Sequence, residues 1–196
     1  EAKVLASAPT VEHIKQTVSA QQWLAKKGSV LTAIDPVRLM ETALTMQGSA
    51  MARHEIEIIR EFQNLPEIQL DTHKVLQILI NLIGNAKQAV KAGHSTPRQI
   101  KLVVATTRGD ADNLVRFQVI DNGVGLPPEH KHRLTEPYVT TRAKGTGLGL
   151  AIVRKIMEDH GGELTIADRT DDRTGAEVFM VLPLRQRKLR ETGGEK

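Results

Sequence analysis

Apolar residues recur at helical spacing in four stretches of this chain and at alternate positions in five others. Val11, Ile14 and Val18 mark a short helix over 9–27, with Gly28 as its stop. Asp35 is a good cap and Pro36 suits a first turn, so the run through Val37, Met40 and Leu44 opens a second helix. A third starts near Asp71, runs to about Ala92 and stops at Gly93; a fourth covers 147–160. Strands are predicted at 55–62, 99–106, 114–121, 163–167 and 176–182, with a Gly/Pro-rich loop region over 122–146. The strands come mostly in adjacent pairs after the first helices. That order predicts an α+β sandwich rather than a doubly wound parallel sheet.

Composition narrows the picture. With 196 residues the chain suits one good-sized domain, and 40% hydrophobic against 26% charged residues is the balance of a folded globular protein. Aromatics are only 3%, so the core must be aliphatic, and the lack of cysteine excludes disulfides and thiolate metal sites. No apolar run nears the length of a membrane span, and no signal-peptide pattern is present. The net charge of +4 raises nucleic acid as a partner, but the basic residues are scattered apart from 185–191, and aromatics for base stacking are scarce. A solvated basic tail over 186–196 and no nucleic-acid partner are expected. The chain opens on Glu1, which suggests a piece of a longer parent.

Three constellations carry candidate chemistry. On the third helix Lys74, Gln77, Asn81, Asn85, Gln88 and Lys91 fall within roughly a third of the circumference, while the other faces are nearly all Val, Leu, Ile and Ala. Asn is a poor helix former, and solvent would be served as well by Glu or Lys. Its amide oxygen is a neutral ligand of the kind Mg²⁺ accepts alongside waters and phosphate oxygens. An ordinary amphipathic helix has the same pattern.

The second constellation ends a strand. Val115, Phe117, Val119 and Asp121 share one side, so this carboxylate stands in register with core residues and must find donors. Gly123 and Gly125 let backbone approach a flat ligand, and an adenine amino group would suit the acceptor. An Asx-type turn is the stronger reading of this stretch by itself. The third is Gly145-Thr146-Gly147-Leu148-Gly149, leading straight into a helix behind Thr140, Thr141, Arg142 and Lys144. It is neither a Walker loop nor a dinucleotide fingerprint. Bare backbone at a helix N-terminus nonetheless favours a phosphate group, and residues 126–145 could form a lid.

Together and in order, these segments resemble the ATP-binding catalytic domain of sensor histidine kinases, within the GHKL nucleotide-binding class. Residues 81–89 are similar to the N box, 121–125 to the first glycine box, 136–142 to the F box and 145–150 to the second glycine box. The match covers about 35–184, and the wording of the last two boxes is nearest to nitrogen-regulation-type kinases. The resemblance implies a Bergerat-type two-layer α/β sandwich with a mixed, mostly antiparallel sheet. It implies Mg-ATP as cofactor, with Asn85 on the metal, Asn81 near the phosphates and Gln88 on the same face. Asp121 would accept from the adenine amino group, with Gly123 and Gly125 shaping the base pocket. Tyr138, Thr141, Arg142 and Lys144 would belong to the lid, and Gly145, Thr146, Gly147, Leu148 and Gly149 would hold the triphosphate.

Departures from the family are informative. Gln88 replaces the Lys of many relatives, and Gly175-Ala176 replaces Gly-Thr before the last strand, which removes a hydroxyl from the base pocket. No H box is present; His13 has its acid before it and no proline after, as befits a surface helix. No catalytic side chain is therefore expected here. Residues 1–28 are expected to be the remnant of a dimerisation helix with its linker, and 29–185 the nucleotide-binding domain. The implied partners are a separate histidine-bearing dimerisation domain and a response regulator, in a cytoplasmic setting. A homodimeric, even membrane-anchored, parent is compatible with a monomeric piece. Two other readings are an ATP-hydrolysing GHKL enzyme and an anti-sigma-like adaptor. The first is disfavoured because hydrolytic relatives carry Glu where Asn81 stands, and an amide cannot take a proton.

Overall fold

The computed structural model describes residues 30–108, 113–140, 145–171 and 173–183. The expected helix over 9–27 and the tail over 186–196 lie outside the described residues. Strand β1 (Thr32–Ile34) leads into helix α1 (Pro36–Arg53), then β2 (Ile56–Phe62), β3 (Ile68–Leu70), helix α2 (Thr72–Ala92), β4 (Arg98–Arg108) and β5 (Asn113–Asp121). A 3₁₀ segment at Pro128–Arg133 precedes helix α3 (Gly149–Asp159), and β6 (Glu163–Asp168) and β7 (Ala176–Pro183) complete the order.

The local causes of the helices are visible. Asp35 accepts from the Val37 amide at 2.8 Å and Pro36 occupies the first turn, so α1 starts where its donors would otherwise be orphaned. Asp71 does the same for α2, accepting from the Lys74 amide at 3.1 Å while itself buried. Helix α3 ends in a Schellman arrangement: the Gly161 amide donates to Glu158 and the Gly162 amide to Met157. Gly161, at φ +63°, takes the left-handed step that this ending needs.

The five-stranded sheet runs β2-β4-β5-β7-β6, and only the β2–β4 pair is parallel. That parallel step is made by the β3–α2 crossover, as parallel neighbours require. A separate two-stranded pair, β1 with β3, is antiparallel. Helix α2 packs on α1 and α3 and against β4 and β5. Its Val75, Ile78, Leu79, Leu82, Ile83, Ala86 and Val90 are buried against the inner sheet face, where Ile100, Leu102, Val104, Val115, Phe117, Val119, Met180 and Leu182 point. The opposite sheet face carries the ion pairs Lys101–Glu61 and Arg116–Glu177 and the bond from Gln99 to Glu57. The result is the expected two-layer α/β sandwich with a mixed, mostly antiparallel sheet.

Three details differ from the sequence pattern. Strands β1 and β3 were not expected, since three residues each are too few to show a period. The expected loop over 122–146 contains the 3₁₀ segment, where Pro127 and Pro128 preset the backbone. Helix α3 begins at Gly149 rather than 147, because Gly147 sits at φ +66°, outside helical space.

Candidate nucleotide site

Helix α2 is the spine of the site. Asn81 and Asn85 are half-buried one turn apart, and Gln88 is exposed on the same face a further turn on. Beside Asn81 lies the mouth of α3. A Cβ built on Gly149 would stand 3.7 Å from Asn81 Oδ1, so the first residue of α3 rests directly on this amide. The N-cap residue of α3, Leu148, gives no side-chain cap, and its amide donates to Thr146 Oγ1 at 3.3 Å. Asn81 Nδ2 is buried and has no hydrogen-bond partner among the described residues. A buried amide left unpaired has a cost of about 1–3 kcal/mol, and a group bound at this mouth would relieve it.

Eight residues further along α2, about 12 Å at helical rise, Ala89 meets Gly123 and Val124 in the turn that follows the strand-end acid. Asp121 is 5% exposed, and its Oδ1 accepts from the Gly123 amide at 2.9 Å and the Ala176 amide at 3.4 Å. Backbone amides are therefore among the donors that its core register demanded. Two neighbours brace the strand end. Asn122 accepts from the Gln99 amide and donates to the Pro97 carbonyl, each at 2.8 Å, which extends the β4–β5 ladder past Asp121. Arg169 donates to the Asp121 main-chain carbonyl at 3.4 Å.

Gly123 has a second role. A Cβ there would lie 2.3 Å from the Ala89 carbonyl carbon, so only glycine lets this turn press on α2. Gly125 takes φ +77° beside Gly175. Gly147 closes the other end: a Cβ there would meet the Tyr138 carbonyl carbon at 2.5 Å, and the Tyr138 amide donates to the Gly147 carbonyl at 3.1 Å. Tyr138 is itself at φ +66° and 77% exposed, so its backbone, rather than its ring, joins the fold here.

The segment leading to Tyr138 is tied down by ions. Lys131 pairs with Asp168 at 2.6 Å and holds that carboxyl below its ordinary range. Arg133 pairs with Glu136 at 2.8 Å, and Arg154 donates to Thr135 at 3.3 Å. Gly145 and Thr146 are half-buried next to the mouth. Thr141, Arg142 and Lys144 lie outside the described residues.

The fold thus seats Gly149, the last residue of the Gly145–Gly149 stretch, on Asn81 of α2, and Gly123, two residues after Asp121, on Ala89 of the same helix, while Gly147 meets Tyr138 and Gly125 lies beside Gly175. Sequence reasoning missed Asn122, Arg169 and the contact role of Gly175. A separate hollow of about 280 Å³, lined by Arg154, Met157, Glu158 and Leu164 among others, faces the far half of α3 and does not contain these residues. Among the described residues no cluster of three or more His, Cys, Asp or Glu could hold a metal, and no helix is long and apolar enough to cross a membrane. A single amide oxygen such as Asn85 Oδ1 still fits Mg²⁺, which retains waters and takes phosphate oxygens instead of a protein cage.

Residues 70–186 match the family of histidine kinase-, DNA gyrase B- and HSP90-like ATPases. The nitrogen regulation protein NtrY of Azorhizobium caulinodans is 46% identical over 115 residues, 58% of this chain and 14% of that protein. The catalytic domain of histidine kinase ThkA is 28% identical with a TM-score of 0.68, covering 79% of this chain and 96% of that one. Full-length ShkA, solved in complex with AMPPNP, is 26% identical with a TM-score of 0.66, covering 90% of this chain and 40% of that one. The chain spans 14% to 32% of the length of the first curated relatives it matches.

Proposed function

We infer, from the premise that this chain belongs to the histidine kinase-, DNA gyrase B- and HSP90-like ATPase family, that it is the ATP-binding catalytic domain of a sensor histidine kinase. The observation that carries the reading is the α3 mouth resting on Asn81, whose buried amide nitrogen has no partner among the described residues. Phosphate oxygens at that mouth would meet helix amides and the positive end of the α3 dipole. The adenine 6-amino group would donate to the Asp121 carboxylate, at the opposite end of the same stretch of α2. ShkA was solved with an ATP analogue, and NtrY and ThkA are nitrogen-regulation and histidine-kinase proteins by name, which supports the same choice.

Asn85 would hold Mg²⁺, which when bound supplies charge neutralisation to the phosphates. The chain's own residues bind and orient. Asp121 fixes the base, the α3 amides and Asn81 fix the phosphate tail, and Thr141, Arg142 and Lys144 of the lid add hydroxyl and cationic donors. The γ-phosphorus is thereby presented to an imidazole nitrogen of a histidine on a separate helical dimerisation domain. A P–N bond forms as the bond to the ADP oxygen breaks, and catalysis is positioning plus electrostatics. The phosphoryl group then passes to an aspartate of a response regulator. Asn81 cannot act as base for water, so hydrolysis is not the output. The reaction belongs to the cytoplasm, where ATP is found, and the parent is a homodimer through the helical domain.

Mixing the chain with a purified histidine-bearing dimerisation domain and γ-labelled ATP tests this. Acid-labile, alkali-stable label is expected on the partner and none on the chain alone. Bound nucleotide without any transfer would point to an adaptor of the anti-sigma type. Brisk phosphate release without a partner would point to a hydrolase.

A further inference from the structure

We propose that Arg169, in the connection between β6 and β7, is a positioning residue that sets adenine selectivity by holding the Asp121 end of the site in place. The proposal rests on the reading of Asp121 as the adenine acceptor. Arg169 lies 48 residues beyond Asp121 along the chain, and its side chain is only 12% exposed. Its guanidinium holds Asp171 through two nitrogens, Nε at 2.9 Å and Nη2 at 2.5 Å, while Nη1 donates to the Asp121 main-chain carbonyl at 3.4 Å. One planar fork therefore grips its own loop and the end of β5 together, a geometry that a point-charge ammonium cannot reproduce.

Backbone closes the same junction. The Arg169 amide donates to the Gly175 carbonyl at 3.4 Å. Gly175, at φ +139°, lies so near Asp121 that a Cβ on it would stand 1.9 Å from the Asp121 carbonyl oxygen and 2.9 Å from Arg169 Cδ. The next residue, Ala176, supplies one of the amides that accompany Asp121 Oδ1. The connection thus delivers a donor to the carboxylate, and Arg169 is the side chain that fastens the connection to the strand. Without that fastening the connection is held to the strand end by the β5–β7 ladder and its own backbone bonds alone, and the carboxylate, still bonded by the Gly123 amide, keeps a looser direction. Among the described residues the side-chain bonds of Arg169 go to Asp171 and Asp121 and none reaches Asn81 or the α3 mouth.

The test compares ATP with purine riboside triphosphate, which lacks the 6-amino group, by titration calorimetry on the chain and its variants. Wild type is expected to prefer ATP. Arg169→Ala is expected to weaken ATP by about fivefold, the equivalent of one net hydrogen bond, and to change affinity for the analogue by less than twofold. Arg169→Lys is expected to fall between, because one donor is kept but the fork is lost. Equal losses for both nucleotides, or no loss for ATP, would overturn the proposal. If Arg169→Ala does not fold, Asp171→Asn, at a carboxylate 47% exposed, carries the test with a smaller drop in the same preference; an unchanged preference there also overturns it. Wild type binding both nucleotides equally would sink the Asp121 reading and this proposal with it. A wild-type preference that Asp121→Asn abolishes but Arg169→Ala and Asp171→Asn leave intact would sink this proposal alone.

Discussion

Two glycines with nearly the same φ offer a paired measurement of what the Tyr138 contact contributes to nucleotide binding. Gly147 lies at φ +66° and Gly161 at φ +63°. A Cβ on Gly161 would have nothing within 4 Å, whereas one on Gly147 would meet the Tyr138 carbonyl carbon at 2.5 Å, its Cα at 2.7 Å and the Val139 nitrogen at 2.7 Å. Gly161→Ala therefore measures left-handed strain alone, about 1–2 kcal/mol, which in a chain of this size lowers Tm by roughly 2–8 °C. Gly147→Ala adds to its own positive φ a clash with main chain that no rotamer can relieve. Carbon atoms settle near 3.5–4.0 Å, so Tyr138 or the α3 mouth must retreat by roughly 1 Å. That retreat strains the bond between the Tyr138 amide and the Gly147 carbonyl, now 3.1 Å, worth about 1 kcal/mol. Because the mouth is the proposed phosphate seat, ATP affinity should fall at least tenfold, about 1.4 kcal/mol, in Gly147→Ala and stay within twofold of wild type in Gly161→Ala. Calorimetric titration gives the affinities and thermal melts without nucleotide give the stabilities. Gly147→Ala binding ATP like wild type, or Gly161→Ala losing as much, would refute the claim that the Tyr138 contact shapes the mouth.

Asp121→Asn places an amide donor where the adenine amino group needs an acceptor; ATP affinity should drop at least tenfold, read by displacement of a fluorescent nucleotide, and an unchanged curve would remove Asp121 from the base site. Asn85→Ala should flatten the rise of ATP affinity with added Mg²⁺ while leaving affinity in a chelator within twofold, so an unaltered magnesium dependence would free Asn85 of its metal role. Lys131 holds the Asp168 carboxyl below its ordinary value, and a depressed folded pKa stabilises above the unfolded one and is lost as pH falls through the folded one. The Tm advantage of wild type over Asp168→Asn should therefore hold at neutral pH and shrink below about pH 4; an advantage that persisted in full at lower pH would show that the pair is not its source.

The parts of this fold that were legible in the sequence are those decided by local periodicity. Helix α2 has 21 residues, enough for its apolar and polar faces to separate cleanly. Asp121 could be read as buried because three residues in register with it, Val115, Phe117 and Val119, are apolar and alternate. Its need for donors followed from desolvation, and the Gly123 amide lies on the next turn of chain. What local pattern does not carry is pairing at a distance. The parallel register of β2 against β4 depends on a crossover of more than thirty residues from Phe62 to Arg98, and no residue in either strand announces it. Arg169 sits in a stretch that reads as an ordinary polar turn, and only its fork across to Asp121, 48 residues away, distinguishes it.

The glycines show why a motif can be read correctly in position and incompletely in cause. Bare backbone at 123 and 147 looks like room for a ligand, yet in each place the space is already taken by the protein's own main chain, Ala89 in one case and Tyr138 in the other. The glycines work one step back: they let two loops press onto neighbouring main chain, and those contacts fix where Asp121 and the α3 mouth face. Both loops are referred to a single rigid body, since Gly123 abuts Ala89 and Gly149 abuts Asn81 of the same α2. A nucleotide lying along this helix would then meet its base and phosphate contacts at a separation set by helical rise rather than by loop flexibility. The asparagines, which cost the helix intrinsic stability, occupy the length of α2 where such a ruler would need polar marks.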